Sequence, residues 1–224
     1  MSVLVKICGL KTPDALDVAL EAGADMVGFV FFPPSPRDVG LVAAAELGRR
    51  VGDRAGKVAL TVDADDVLLA GIIDALRPDL LQLHGAETPA RVRAIKARFG
   101  LPVMKAIAVQ ARADLAAVTR YDTVVDRLLF DARAPREATR PGGLGKPFDW
   151  HLLEQLDLAV PYMLSGGLDP DNVAAALLIT NAPGVDVSSG VERAPGEKDH
   201  DKIRAFIRAA RRMQIPATNV MSRV

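Results

Sequence analysis

The chain is poor in the residues that most often carry chemistry or cross-links. Its 224 residues include one cysteine, Cys8, three histidines, two tyrosines and one tryptophan. A single thiol cannot close an internal disulfide, and no CxxC pair or Cys/His cluster suggests zinc. A reducing compartment, the cytoplasm, fits that usage best. Excess charge is missing too: Lys plus Arg and Asp plus Glu stand at 28 each, which removes the field expected of a partner to nucleic acid or a membrane surface. The longest apolar run, Met26 to Phe32, is far too short to span a bilayer, and the N-terminus lacks the basic and apolar regions of a signal peptide.

What the chain has is hydrophobic mass, half of its residues, arranged in a repeating alternation. Val3 to Gly9 is a β-rich run ending on Cys8. Thr12-Pro13-Asp14 reads as an N-cap, a proline at the first helical position and a first-turn acid, opening a helix to about Ala22. Met26 to Phe32 is apolar on both faces, as strands of covered parallel sheets are. The pattern continues with a helix over 41–51, a strand over 57–62, a helix over 64–76 and a strand over 80–83. Thr88-Pro89 opens a helix to about Phe99, followed by a strand over 103–108 and a helix over 112–119. Then come a strand over 124–130, a helix over 148–156, a strand over 160–164, a helix capped by Asp169-Pro170-Asp171, a strand over 185–187 and a last helix over 198–213. Eight βα units in this length predict one (β/α)8 barrel over 1–214, with 215–224 as a flexible tail. A doubly wound open sheet shares the alternation, but the first βα turn lacks a GxGxxG or P-loop pattern.

A parallel barrel places its chemistry at the carboxyl ends of its strands. Those ends carry Cys8, Arg37, Asp63, His84, Asp131, Ser165-Gly166-Gly167 and Ser188-Ser189-Gly190. Cys8 is either a small buried hydrophobe or a thiolate base or nucleophile. Lys6, two residues back on the same strand face, would lower its pKa, and a lysine inside a barrel needs a partner. Asp131 is either a loop acid or a general acid whose neutral form burial favours. Arg37 could make a surface ion pair, or its planar fork could take a substrate carboxylate or phosphate. His84 is either a hydrogen-bonded structural residue or a base. The Gly166-Gly167 and Ser189-Gly190 turns together offer backbone N–H groups to a phosphate. Gly142-Gly143-Leu144-Gly145 is either a solvated loop or a lid, with Gly143 and Gly145 as ligand contacts.

With these residues assembled, the chain resembles the phosphoribosylanthranilate isomerases. The likeness rests on Lys6-Ile7-Cys8-Gly9, Ser35-Pro36-Arg37, Gln82-Leu83-His84-Gly85, Leu129-Phe130-Asp131, Gly142 to Gly145 with Phe148-Asp149-Trp150, Ser165 to Leu168, and Gly184 to Glu192, in the family's order. Two departures stand out: Leu144 replaces the usual Thr or Ser, and the strand Ala59 to Asp63 is less aromatic than the family's. The resemblance implies a cofactor-free Amadori rearrangement of a small phosphoribosyl substrate in tryptophan biosynthesis, by a cytoplasmic monomer or homodimer. It implies Asp131 as acid, Cys8 as base, Arg37 on the anthranilate carboxylate and the two glycine turns on the phosphate. Lys6, His84 and Asp186 are further pocket residues, Asp186 near the phosphate end.

Two other functions share these features. A histidine-pathway or dual-specificity phosphoribosyl isomerase resembles a duplicated barrel with aspartate where Cys8 stands, and no internal repeat is evident here. A non-catalytic phosphosugar-binding barrel would keep the phosphate turns and lose the acid or base, yet both are present.

Overall fold

A computed structural model describes residues 2–134, 147–154, 156 and 158–212. Eight parallel strands close into a barrel in sequence order, β1 (Leu4–Cys8) pairing with both β2 (Met26–Phe31) and β8 (Gly184–Val187). Between them run β3 (Gly56–Thr61), β4 (Leu80–Leu83), β5 (Val103–Val109), β6 (Arg127–Ala132) and β7 (Tyr162–Leu164). The outer layer holds α1 (Pro13–Glu21), α2 (Leu41–Val51), α3 (Asp66–Leu76), α4 (Pro89–Phe99), α5 (Val118–Tyr121), α6 (Val173–Thr180) and α7 (His200–Arg211). The expected barrel is the observed one.

Local chemistry accounts for several helix starts. Thr12 Oγ1 accepts from Ala15 N, Thr88 Oγ1 from Arg91 N and Asp65 Oδ1 from Leu68 N, each supplying an acceptor to an otherwise unbonded first-turn amide. Most of the core lies between strands and helices, where Ile7, Leu16, Phe29, Leu69, Val92, Phe130 and Phe206 are buried. A smaller apolar layer of Val58, Leu80, Met104, Ala106, Leu129 and Met163 fills the lower barrel interior. At the seam, Arg211 of α7 donates to Val3 O, to Gly23 O at 2.9 Å and to Asp25 Oδ2 at 2.6 Å, while the same Asp25 oxygen accepts from Val5 N. The last helix is thereby fastened to the first strand.

Several boundaries differ from the sequence reading. The helix expected over 112–119 is a 3₁₀ turn, Arg112–Ala117, running into the one-turn α5, and the helix expected over 148–156 is reduced to a 3₁₀ turn, Trp150–Leu153. The sixth strand extends beyond Phe130, because Asp131 and Ala132 continue the ladder opposite Ala108 and Val109. The helix after β7 begins at Val173 rather than at the Asp169-Pro170-Asp171 turn, whose Asp169 Oδ1 accepts from Asp171 N and Asn172 N. Before α7 a small antiparallel hairpin, β9 (Glu192–Ala194) and β10 (Glu197–Lys198), occupies what read as loop, so the last helix starts at His200 behind an Asp199 cap. Gly142 to Gly145 and the 215–224 tail lie outside the described residues. Among the described residues no helix is long and apolar enough to cross a membrane.

Candidate active site

Alternation along the strands turns Lys6 and Cys8 into the barrel, and the register puts Lys6 opposite Asp186 and Cys8 opposite Gly28. Lys6 is fully buried and its Nζ donates to Asp186 Oδ1 at 2.9 Å, while Ser165 Oγ donates to Asp186 Oδ2 at 3.4 Å. The lysine therefore has the partner its burial requires. Burial weighs against the Lys6 ammonium, but Asp186 and Cys8 beside it outweigh burial and hold its pKa above the ordinary lysine value. Burial pushes the Cys8 thiol up, and although Lys6 and Lys198 pull it down, the Asp186 carboxylate helps to leave it raised. The thiol packs closely against β2: a Cβ on Gly28 would stand 2.8 Å from Sγ.

A second set gathers around Glu192. Arg37 Nε and Nη2 donate to Glu192 Oε1 and Oε2, both at 2.7 Å, and Lys198 Nζ donates to Oε1 at 2.8 Å. All three side chains are buried, so the surface ion pair entertained for Arg37 is corrected: its carboxylate comes from the hairpin that follows β8, the strand on the other side of β1 from β2. The Arg37 stem crosses Gly9, directly after Cys8. Lys198 also donates to Ser188 O at 2.9 Å, and Ser188 Oγ donates to Cys8 O at 3.1 Å, joining this set to the thiol's backbone. Burial opposes ionisation of Glu192, but Arg37 and Lys198 outweigh it and hold the carboxyl below its usual range. Lys198 goes the other way, since burial lowers its pKa and the shared Glu192 does not restore it. One carboxylate with two cations gains more than either cation with one carboxylate.

Three strands from β1, counting through β8 and β7, Asp131 stands near the end of β6 and is buried. Its Oδ1 accepts from Ala132 N at 2.9 Å, and its Oδ2 lies 3.1 Å from His84 Nε2. His84 Nδ1 in turn lies 3.1 Å from Gln82 Nε2. As the Gln82 amide is placed, Nδ1 accepts and Nε2–H donates to Asp131. Gln82 Oε1 is buried without a hydrogen-bond partner among the described residues.

Gly166 and Gly167 follow β7 with φ of 84° and 70°, and Ser189 and Gly190 lie in the 3₁₀ turn Ser189–Val191 after β8. The two turns abut: a Cβ on Gly190 would fall 1.9 Å from Leu168 O, so glycine is required there. Gly143 and Gly145 lie outside the described residues. Sequence reasoning assigned no role to Gln82, Gly28, Glu192 or Lys198. Gln82 and Glu192 sit inside the motifs already quoted, but nothing in a linear pattern joins Glu192 to Arg37, 155 residues away. Among the described residues no cluster of three or more His, Cys, Asp or Glu could hold a metal ion.

With this geometry in place, known proteins give a consistent comparison. An N-(5'-phosphoribosyl)anthranilate isomerase from Bradyrhizobium sp. (strain ORS 278) is 69% identical over 211 residues, covering 94% of this chain and 96% of that protein. The crystal structure of phosphoribosyl anthranilate isomerase from Thermotoga maritima superposes with a TM-score of 0.85 at 34% identity, over 94% of this chain and all of that one. A phosphoribosyl anthranilate isomerase solved in complex with reduced 1-(o-carboxyphenylamino)-1-deoxyribulose 5-phosphate gives a TM-score of 0.80 at 32% identity, over 94% of this chain and all of that one. Residues 5–209 match the family model described as N-(5'phosphoribosyl)anthranilate (PRA) isomerase, and the chain belongs to that family.

Proposed function

We propose that this chain catalyses the Amadori rearrangement of N-(5-phosphoribosyl)anthranilate to 1-(2-carboxyphenylamino)-1-deoxyribulose 5-phosphate, a step of tryptophan biosynthesis, in the cytoplasm, as a monomer or homodimer. The observation that carries this reading is the joint placement of Cys8 and Asp131 at the carboxyl ends of β1 and β6 in one barrel mouth, with family membership behind it.

Asp131 protonates the furanose ring oxygen as the C1–O bond breaks, and the anilino nitrogen's lone pair forms the C1=N iminium. The Cys8 thiolate then takes the C2 proton, and the C–H electron pair becomes the C1=C2 bond of an enolamine. Tautomerisation returns a proton to C1, releases the one on the C2 hydroxyl and yields the ketone. A raised thiol pKa makes Cys8 a strong base once ionised, and the iminium brings a positive charge beside it at the moment of need. The Lys6 ammonium, held by Asp186, gives the thiolate a fixed counter-charge.

The acid needs a proton on Asp131, and the Gln82–His84 pair offers a means of placing it. Turning the Gln82 amide gives its partnerless Oε1 the Nδ1–H of His84, which leaves Nε2 to accept from a neutral Asp131. Arg37, its fork held square by Glu192, takes the anthranilate carboxylate, and the backbone of the Gly166-Gly167 and Ser189-Gly190 turns takes the phosphate.

The reading is tested by adding purified protein to freshly made phosphoribosylanthranilate and following the decay of its fluorescence. Rapid decay, lost in Cys8→Ser, is expected. Absence of decay with folded wild-type protein would overturn it.

A further inference from the structure

At the opposite end of the barrel, where the strands begin, lies a cavity of ≈ 220 Å³ whose lining includes Met26, Val58, Leu80, Arg127, Asp79 and Asp126. The interior apolar layer separates it from Cys8 and Asp131. Its carboxylates are already engaged. Asp79 Oδ2 accepts from Lys57 N at 2.7 Å, and Asp126 accepts from Val103 N and from Lys96 Nζ, at 2.8 and 2.9 Å.

Its cations are not engaged. Neither the Lys57 ammonium nor the Arg127 guanidinium makes a hydrogen bond or ion pair with any described residue, and Arg127 Nη1 is buried without a partner. Arg127 rises from the first position of β6 on the inward-facing parity shared with Leu129 and Asp131, so its half-buried guanidinium stands among Met26, Val58 and Leu80. Burial lowers its pKa with no carboxylate to offset it. A guanidinium with five donors, set against an apolar wall and left unpaired, is costly unless something anionic completes it.

We propose that this N-terminal mouth is a second binding site, for a small organic monocarboxylate whose apolar body fills the cavity and whose carboxylate meets Arg127. The volume suits the class: an apolar cavity of about 150 Å³ accepts benzene, and this one leaves room for a carboxylate beyond a ring of that size. A dianion such as a phosphate monoester fits less well, since the apolar wall offers no donors to its second charge and the two lining carboxylates repel two charges more than one.

The probe is cyclohexanecarboxylate, with methylcyclohexane as its uncharged match and chloride as a simple anion. Binding is read from the ¹³C-methyl NMR signal of Met26, assigned through Met26→Leu, and from the thermal midpoint. Saturable shifts of the Met26 methyl by the carboxylate, retained in Cys8→Ser, are expected. Arg127→Met should weaken them by about tenfold or more, the loss of one charged hydrogen bond. Each variant is compared with itself with and without probe, so a change in its own stability does not obscure the result. No saturable shift, equal binding of methylcyclohexane, an equal effect of chloride, or undiminished binding in Arg127→Met would each overturn the proposal.

Discussion

Replacing Glu192 by Gln separates what holds Arg37 in place from what it binds. The substitution keeps the length and one oxygen but removes the charge that faces two buried cations, at 2.7 Å from Arg37 and 2.8 Å from Lys198. Removing one partner of a buried ion pair costs about 3–5 kcal/mol, and the retained acceptor places Gln at the lower end, about 3 kcal/mol. At about 2–4 °C per kcal/mol for a chain of this size, the thermal midpoint should fall by roughly 6–12 °C at pH 7. The loss should depend on pH in a definite direction. Lys198 has a folded pKa below its ordinary 10.5, so the unfolded chain binds more protons and stability rises with pH between the lowered value and 10.5. Without Glu192 that depression deepens, so the deficit of the variant should shrink as pH is raised from the variant's still lower Lys198 value to the wild-type one, and stay constant from there to 10.5. On the acid side, Glu192 titrates below its ordinary 4.5, so the stability it contributes is present above 4.5 and lost as pH falls through the lowered value, a dependence the variant should lack. Calorimetry at a series of pH values, paired with steady-state kinetics, checks both halves. An Arg37 no longer held should raise KM by about tenfold, the size of one charged hydrogen bond, with a smaller change in kcat. An unchanged midpoint together with an unchanged KM would refute the view that Glu192 holds Arg37.

Cys8→Ser and Asp131→Asn should each lower kcat by about a hundredfold or more, measured by fluorescence decay, with circular dichroism confirming that the barrel is retained. Because the thiol is raised above its ordinary 9.0, kcat/KM should climb through the alkaline range with its limb above that value, and a flat profile from neutral pH upward would remove Cys8 from the role of base. Gly190→Ala drives a methyl into Leu168 O; a loss of about 1–3 kcal/mol in urea denaturation and a higher KM are expected, because the two turns that abut are those assigned to the phosphate.

The parts of the structure legible in the sequence are those with local causes. Thr12-Pro13 and Thr88-Pro89 mark helix starts because a side-chain oxygen and a fixed φ act within one turn, and Met26 to Phe31 is visible as a strand because both its faces are buried. Cys8 and Asp131 could be placed because a strand end is also the end of an apolar run. What stayed hidden depends on residues far apart. Glu192 carried no assignment until the hairpin brought it to Arg37, and the stretch from Trp150 to Leu153 kept only a 3₁₀ turn although its composition suits a helix. Arg127 falls inside the strand expected over 124–130 and carried no assignment; its lack of a partner among the described residues emerges only once its neighbours have been placed.

The Lys6–Asp186 bridge joins residues 180 positions apart, and this bears on the order of assembly. During synthesis the first strand leaves the ribosome carrying a cation that the finished barrel shuts away completely, while its counter-ion remains to be translated. Burying that strand early would strand the charge, so β1 should dock late, when β8 arrives and Arg211 closes behind it. A nascent chain stopped short of Asp186 should therefore expose its first strand to protease, and a circular permutant that makes β8 and β1 neighbours in sequence should reach the native state faster.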